Sequence, residues 1–163
     1  MKIYKYFLLK NKKLKSWVKY WLYLKSKVIK IINLFVFPEA GTTQGITYSI
    51  NNDGTINLSG RTSSSSIAKF IIFKDLEETG IINGETYTLS SDQQFPLKLE
   101  VRVECFNGET WVRHLLGSVL NRQNQTITGV ANTTNTTRIR YMIYVDTNAR
   151  LDIQNLKLEL VKG

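Results

Sequence analysis

Acidic residues are missing from the start of this chain: no Asp or Glu precedes Glu39, whereas ten lysines do. Residues 1–38 therefore carry +10, and residues 39–163, with the other 12 Lys and Arg against all 13 acids, carry −1. The +9 total belongs to an arm, not to a basic globular body, and such asymmetry marks an arm that engages a partner. Glycine and proline are also absent before Phe37, and all ten glycines follow it. The arm contains no Arg. Bidentate reading of bases relies on Arg, so sequence-specific nucleic-acid recognition is not expected, and only non-specific phosphate contact by lysine remains. The single cysteine, Cys105, excludes an intrachain disulfide and a Cys/His zinc set. The single histidine, His114, sits in an alternating strand segment and reads as a surface or packed residue, not as a base. Long apolar runs are lacking too. The longest lysine-free stretch of the arm is eight residues, 31–38, far short of the roughly 20 a membrane span needs. Lysines interrupt every apolar run, and Phe-Pro-Glu-Ala is a poor cleavage site, so a secretory signal is not expected.

What the arm does have is periodicity. Leu14, Trp17, Trp21, Leu24, Val28, Ile31 and Phe35 follow one another at alternating spacings of three and four, which places them on one stripe of a helix. Lys13, Lys25 and Lys27 flank that stripe with no acid to answer them. Self-association as a coiled coil would stack like charges, so a homo-oligomer needs help from another partner. Trp, Tyr and Lys also suit the surface of an anionic membrane. Docking on an acidic protein surface uses both properties together. The stripe supplies apolar burial, about 1.5–3 kcal/mol per fully buried large side chain, and lysine pairing adds rate and orientation. The Phe37-Pro38-Glu39-Ala40-Gly41 stretch marks the boundary. The organisation expected is a basic amphipathic helical anchor over residues 1–37, a linker over 38–44 and a β domain over 45–163.

In that domain the period changes to two. Segments 46–50, 56–58, 68–73, 85–90, 97–105, 110–116, 126–130, 138–145 and 151–161 read as about nine strands, punctuated by Asp53-Gly54, Asn83-Gly84 and Asn107-Gly108 turns. No helical pattern interrupts them, so the fold class is mainly β, an antiparallel two-sheet sandwich. Arg138-Ile139-Arg140-Tyr141-Met142-Ile143-Tyr144 alternates as a strand with one wet and one dry face.

Gly45-Ile46-Thr47-Tyr48-Ser49-Ile50-Asn51-Asn52-Asp53-Gly54-Thr55-Ile56-Asn57-Leu58-Ser59-Gly60-Arg61-Thr62 resembles the opening hairpin of small jelly-roll modules in tailed-phage virion proteins, which are similar in fold to carbohydrate-binding modules. Gly84-Glu85-Thr86-Tyr87-Thr88-Leu89-Ser90 resembles a later strand of those modules, and residues 151–160 their closing strand. Arg61 departs from the pattern, standing where a small residue is usual. The likeness spans residues 45–163 and none of the arm. It implies a jelly-roll β-sandwich in a virion, on the capsid, fibres, baseplate or tail tip. Residues 1–36 would then dock on other virion structural proteins, and the body would display a surface suited to host cell-surface glycan. A sandwich of this kind is a scaffold, and its activity must be argued from its surface.

Catalytic chemistry has little to work with. Glu77-Glu78 and the same-face pair Glu100 and Glu104 are carboxylate pairs, but such pairs are ordinarily solvated, and no cofactor or metal is implied. A non-enzymatic protein is expected. For glycan binding, Trp111 is the one Trp of the body and the best ring for stacking on a sugar, with Asn107, Glu109, Arg113 and Tyr141 to bond hydroxyls. The alternative is that Trp111 fills the core, as large aromatics on strands mostly do. The functional expectation is a capsid or fibre decoration protein. Its alternatives are a tail or baseplate adhesin for glycans and a bacterial surface module held to a membrane by the arm.

Overall fold

The structure, a computed structural model, describes residues 40–163 and the backbone of Ile31–Ile32. The docking residues Lys13, Leu14, Trp17, Trp21, Leu24, Lys25, Lys27, Val28 and Phe35 lie outside the described residues, and with them the helical anchor. Ile31 and Ile32, of which Ile31 falls on the helical stripe by spacing, form instead a two-residue strand β1 (Ile31–Ile32). Two adjacent β-branched residues suit a pleated strand.

The described chain is mainly β and every ladder is antiparallel. The remaining strands are β2 (Gly41–Thr43), β3 (Ile46–Ile50), β4 (Ile56–Arg61), β5 (Ala68–Asp75), β6 (Thr86–Ser91), β7 (Leu99–Phe106), β8 (Trp111–His114), β9 (Thr126–Val130), β10 (Arg138–Val145), β11 (Arg150–Leu156) and β12 (Leu158–Lys162), with one helical turn, α1 (Leu76–Thr79). They form three four-stranded sheets ordered β1-β12-β6-β9, β5-β10-β7-β8 and β11-β4-β3-β2. Alternation explains most of this. In β10, Ile139, Tyr141, Ile143 and Val145 are buried while Arg138 is exposed and Arg140 and Tyr144 half-buried. Inward residues from all three sheets, among them Leu58, Tyr87, Val101, Ile143 and Leu160, join one apolar core.

Two expectations are corrected. Residues 41–43 are not linker: β2 pairs with β3, Gly41 opposite Tyr48 and Thr43 opposite Ile46. A short edge strand of Gly and Thr carries no alternation to betray it. Segment 151–161 is not one strand either. Asn155 takes a left-handed backbone (φ 56°), and the chain leaves β4, the partner of β11, for β6, the partner of β12. Asn tolerates that conformation better than other side chains. A side-chain network holds this corner against the β3–β4 hairpin: Asn51 Nδ2 donates to Asn155 Oδ1 at 2.9 Å, and the Asn155 backbone N–H donates to Asn57 Oδ1 at 2.8 Å.

The hairpin itself depends on glycine. Gly45 and Gly60 have positive φ (83° and 121°), and a Cβ on Gly60 would stand 2.2 Å from the Gly45 carbonyl oxygen. Only bare backbone allows this approach. Just beyond it, the buried Thr62 hydroxyl donates to the Asp146 carbonyl at 2.7 Å and accepts the Ala149 N–H at 2.8 Å.

Candidate functional site

The outward face of the β5-β10-β7-β8 sheet is where aromatic and charged side chains gather. Register sets this up. Arg140 stands opposite Phe73 on one neighbour and Glu104 on the other, Tyr144 stands opposite Glu100, and Phe106 stands opposite both Arg138 and Trp111. Parity in each strand then sends these residues to the side opposite the core.

Three arginines on this face each combine a ring and a carboxylate. Arg140 lies over the Trp111 ring with its guanidinium carbon 4.2 Å from the centroid, and its nitrogens bond Glu104. Arg102 lies 4.0 Å over Tyr144 and donates through Nε and Nη2 to Glu100 Oε2 at 2.9 and 2.6 Å. Arg138 lies 5.5 Å over Phe73 and pairs with Asp75 at 3.3 Å. Phe106 and Phe73 flank Trp111 at ring-centroid distances of 4.9 and 5.7 Å. A guanidinium stacked on a ring gains cation–π attraction, and its carboxylate fixes the in-plane orientation. The result is a rigid row of rings and hydrogen-bonding groups, not a set of free charges. Glu104, the most buried of the three acids, also has His114 Nδ1 at 3.9 Å from Oε1. Glu100 and Glu104 do share a strand face, and each is taken up by an arginine.

Phe73 is the open ring of the set, 48% exposed. Trp111 is half-buried and outward, so it does not fill the core, but Arg140 already covers it. At the other end of the face Glu100 borders a groove of about 490 Å³ with Gln94, Leu97, Asn121, Arg122 and Gln123. From Phe106 to Glu100 is six residues along β7, roughly 20 Å at strand rise.

The sequence-derived partners of Trp111 fare unevenly. Tyr141 is fully buried on the dry side of β10, and burial pushes its phenol well above the usual tyrosine range. It cannot meet a ligand beside Trp111, because its parity matches Ile139 and Ile143. Arg113 stands opposite the inward-facing Cys105 and donates to the Thr134 carbonyl at 2.9 Å, so it belongs to the other side of β8. Asn107 is spent on its own turn, Oδ1 accepting the N–H groups of Glu109 and Thr110 at 2.9 and 2.8 Å. Glu109 is exposed on that turn. Cys105 is buried, which raises its thiol pKa and leaves it a poor nucleophile. The residues that sequence reasoning passed over are Phe73, Phe106, Tyr144, Arg102, Arg138 and Arg140. The alternation over residues 138–144 already carried the signal for the β10 members.

No group of three or more His, Cys, Asp or Glu among the described residues is arranged to hold a metal ion. Against known proteins, the chain matches no family model and no curated relative.

Proposed function

We propose that this chain is a non-enzymatic virion structural protein, a decoration of the capsid or its fibres. Its body is a jelly-roll β-sandwich that binds glycan through the outward face of β5-β10-β7-β8. The observation that carries the binding reading is the exposed Phe73 ring set among guanidinium–ring–carboxylate triads. A sugar presents C–H groups on its face and hydroxyls around its edge. An open ring packs against the first, and fixed guanidinium and carboxylate groups bond the second. Phe73 supplies the stacking surface, Trp111 and Phe106 buttress it, and Arg138, Asp75 and Arg140 meet the hydroxyls. The two glutamates of the face are occupied by arginine, which suits recognition better than proton transfer.

The virion context rests on the three motifs within residues 45–163, and the tether on the cationic, apolar-striped arm. An adhesin of the tail or baseplate would use the same glycan face, so the location of the chain in the particle separates these two.

A glycan array probed with the full-length protein tests the binding reading. Phe73→Ala and Arg138→Ala are expected to lower signal on the bound glycans at least tenfold, while Glu109→Ala leaves it unchanged. Equal binding by the Phe73 variant sinks the reading. Deleting residues 1–30, which leaves β1 in place, is expected to abolish incorporation into particles, and normal incorporation overturns the tether.

A further inference from the structure

A second polar arrangement lies on a different sheet, β11-β4-β3-β2, and does not depend on the glycan reading. Arg150 of β11 and Arg61 of β4 are directly opposed partners in the antiparallel ladder, and both are exposed. Directly opposed side chains start only about 4.5–5.5 Å apart at Cβ, and like charges there destabilise a sheet. The arginines of the other face are each answered by an acid: Arg102 by Glu100, Arg138 by Asp75, Arg140 by Glu104. Among the described residues neither Arg61 nor Arg150 enters an ion pair. The two line a groove of about 440 Å³ with Gly60, Leu151 and Asp152. Gly60, next to Arg61, lines it with backbone alone. The buried Leu151 opposite it anchors the strand beneath.

We infer that Arg61 and Arg150 form an oxyanion site for a phosphate or carboxylate group borne on a hydroxylated ligand. Two guanidiniums held side by side offer paired N–H forks to one oxyanion, and its arrival removes the repulsion between them. Asp152 sets the rest of the chemistry. It shares the outward parity of Arg150, with Ser59 opposite, and its Oδ1 already accepts the Gln154 amide at 3.3 Å. A carboxylate in the groove repels a second negative charge and accepts a hydroxyl. The ligand is therefore singly charged at this point, with hydroxyls adjoining, as in a uronic acid or a polyol phosphodiester.

The test is titration of the full-length protein at constant ionic strength, read from the arginine Nε–H resonances. The probes are inorganic phosphate, glycerophosphoglycerol (a singly charged polyol phosphodiester) and glucuronate, with glucose and chloride as controls. Saturable shifts at Arg61 and Arg150 are expected with all three anions and with neither control. The tighter of glycerophosphoglycerol and glucuronate, both singly charged, identifies the phosphate or the carboxylate class. Arg61→Lys keeps the charge and loses the fork, and is expected to bind at least tenfold more weakly. Arg61→Gln is expected to raise the thermal midpoint at low salt and to abolish the further rise that phosphate gives the parent protein. Shifts that chloride reproduces, or undiminished binding by Arg61→Lys, overturn the site. So does an Arg61→Gln protein that phosphate still stabilises.

Discussion

Replacing Glu104 by Gln probes the centre of the aromatic face with little change of shape. The Glu104 side chain is 11% exposed and Arg140, its partner, 21%. Losing one member of a fully buried ion pair costs about 3–5 kcal/mol, because the other is left charged and unanswered. Here both groups keep some water, so the cost is smaller. A charge-assisted hydrogen bond in such a setting is worth about 1.5–3 kcal/mol. The Gln amide can still accept one N–H from Arg140, and the stacking of Arg140 on Trp111 at 4.2 Å survives in part. The expected loss is about 2 kcal/mol, or roughly 5–10 °C in thermal midpoint for a domain of this size.

Urea unfolding of the full-length protein measures this, and a double-mutant cycle assigns it. Arg140→Met alone takes the guanidinium from Glu104, leaving it only His114 at 3.9 Å, and should cost a similar amount. The double variant Glu104→Gln, Arg140→Met should cost about 1 kcal/mol or more less than the sum, since no charge is then stranded. A single Glu104→Gln change within about 0.5 kcal/mol of the parent, or strict additivity in the cycle, refutes the triad as a coupled unit.

Gly60→Ala is expected to cost at least ~3 kcal/mol, combining positive-φ strain with a Cβ against the Gly45 carbonyl; a loss under about 1 kcal/mol in urea unfolding would show that the hairpin can open cheaply. Burial raises the pKa of both Tyr141 and Cys105 in the folded state, so their contribution is complete below the unfolded values, about 8.5 for Cys and about 10 for Tyr, and is lost as pH climbs through and beyond them. The urea midpoint should therefore fall between neutrality and pH ~11, and Tyr141→Phe should flatten the decline above pH ~10; an unchanged slope contradicts that assignment. Phe73→Thr exchanges a half-exposed ring on the outward face of β5 for a good strand former, so stability should stay within about 0.5 kcal/mol while glycan binding is lost. A large destabilisation would make Phe73 a packing residue instead.

Strand positions were legible wherever one side of a strand is wet. Segments 126–130 and 138–145 match β9 and β10 at both ends, because polar and apolar residues alternate there and Asn- or Thr-rich loops close them off. Where the backbone turns at Asn155 the alternation slips phase, from Leu151 and Ile153 to Leu156, Leu158 and Leu160, and reading residues 151–161 as one strand passes over that slip. The binding face was half legible. Trp111 was legible as a residue, but of the companions expected for it Arg113 and Tyr141 point the other way. Parity could have excluded Tyr141, which shares the dry side with Ile139 and Ile143. Bringing Phe73, Arg140, Glu104 and Trp111 together required the strand order β5-β10-β7-β8.

The same requirement governs Arg61. Read along the chain, it is a surplus cation at a strand end where a small residue is usual, and it suggests nothing. Its significance comes from register, which sets it opposite Arg150 with no acid within salt-bridge reach of either among the described residues. The two sheets handle arginine in contrasting ways. On β5-β10-β7-β8 every stacked arginine has its carboxylate, so the face is electrostatically closed and offers shape and hydrogen-bond geometry. On β11-β4-β3-β2 the cross-strand pair has no acid within salt-bridge reach among the described residues, Asp152 lining the same groove without pairing either arginine, which is the opening the proposed anion would fill. A scaffold whose core accepts any outward residue of suitable β propensity leaves such choices free, and two different solutions on two faces of one domain are consistent with two different ligand chemistries.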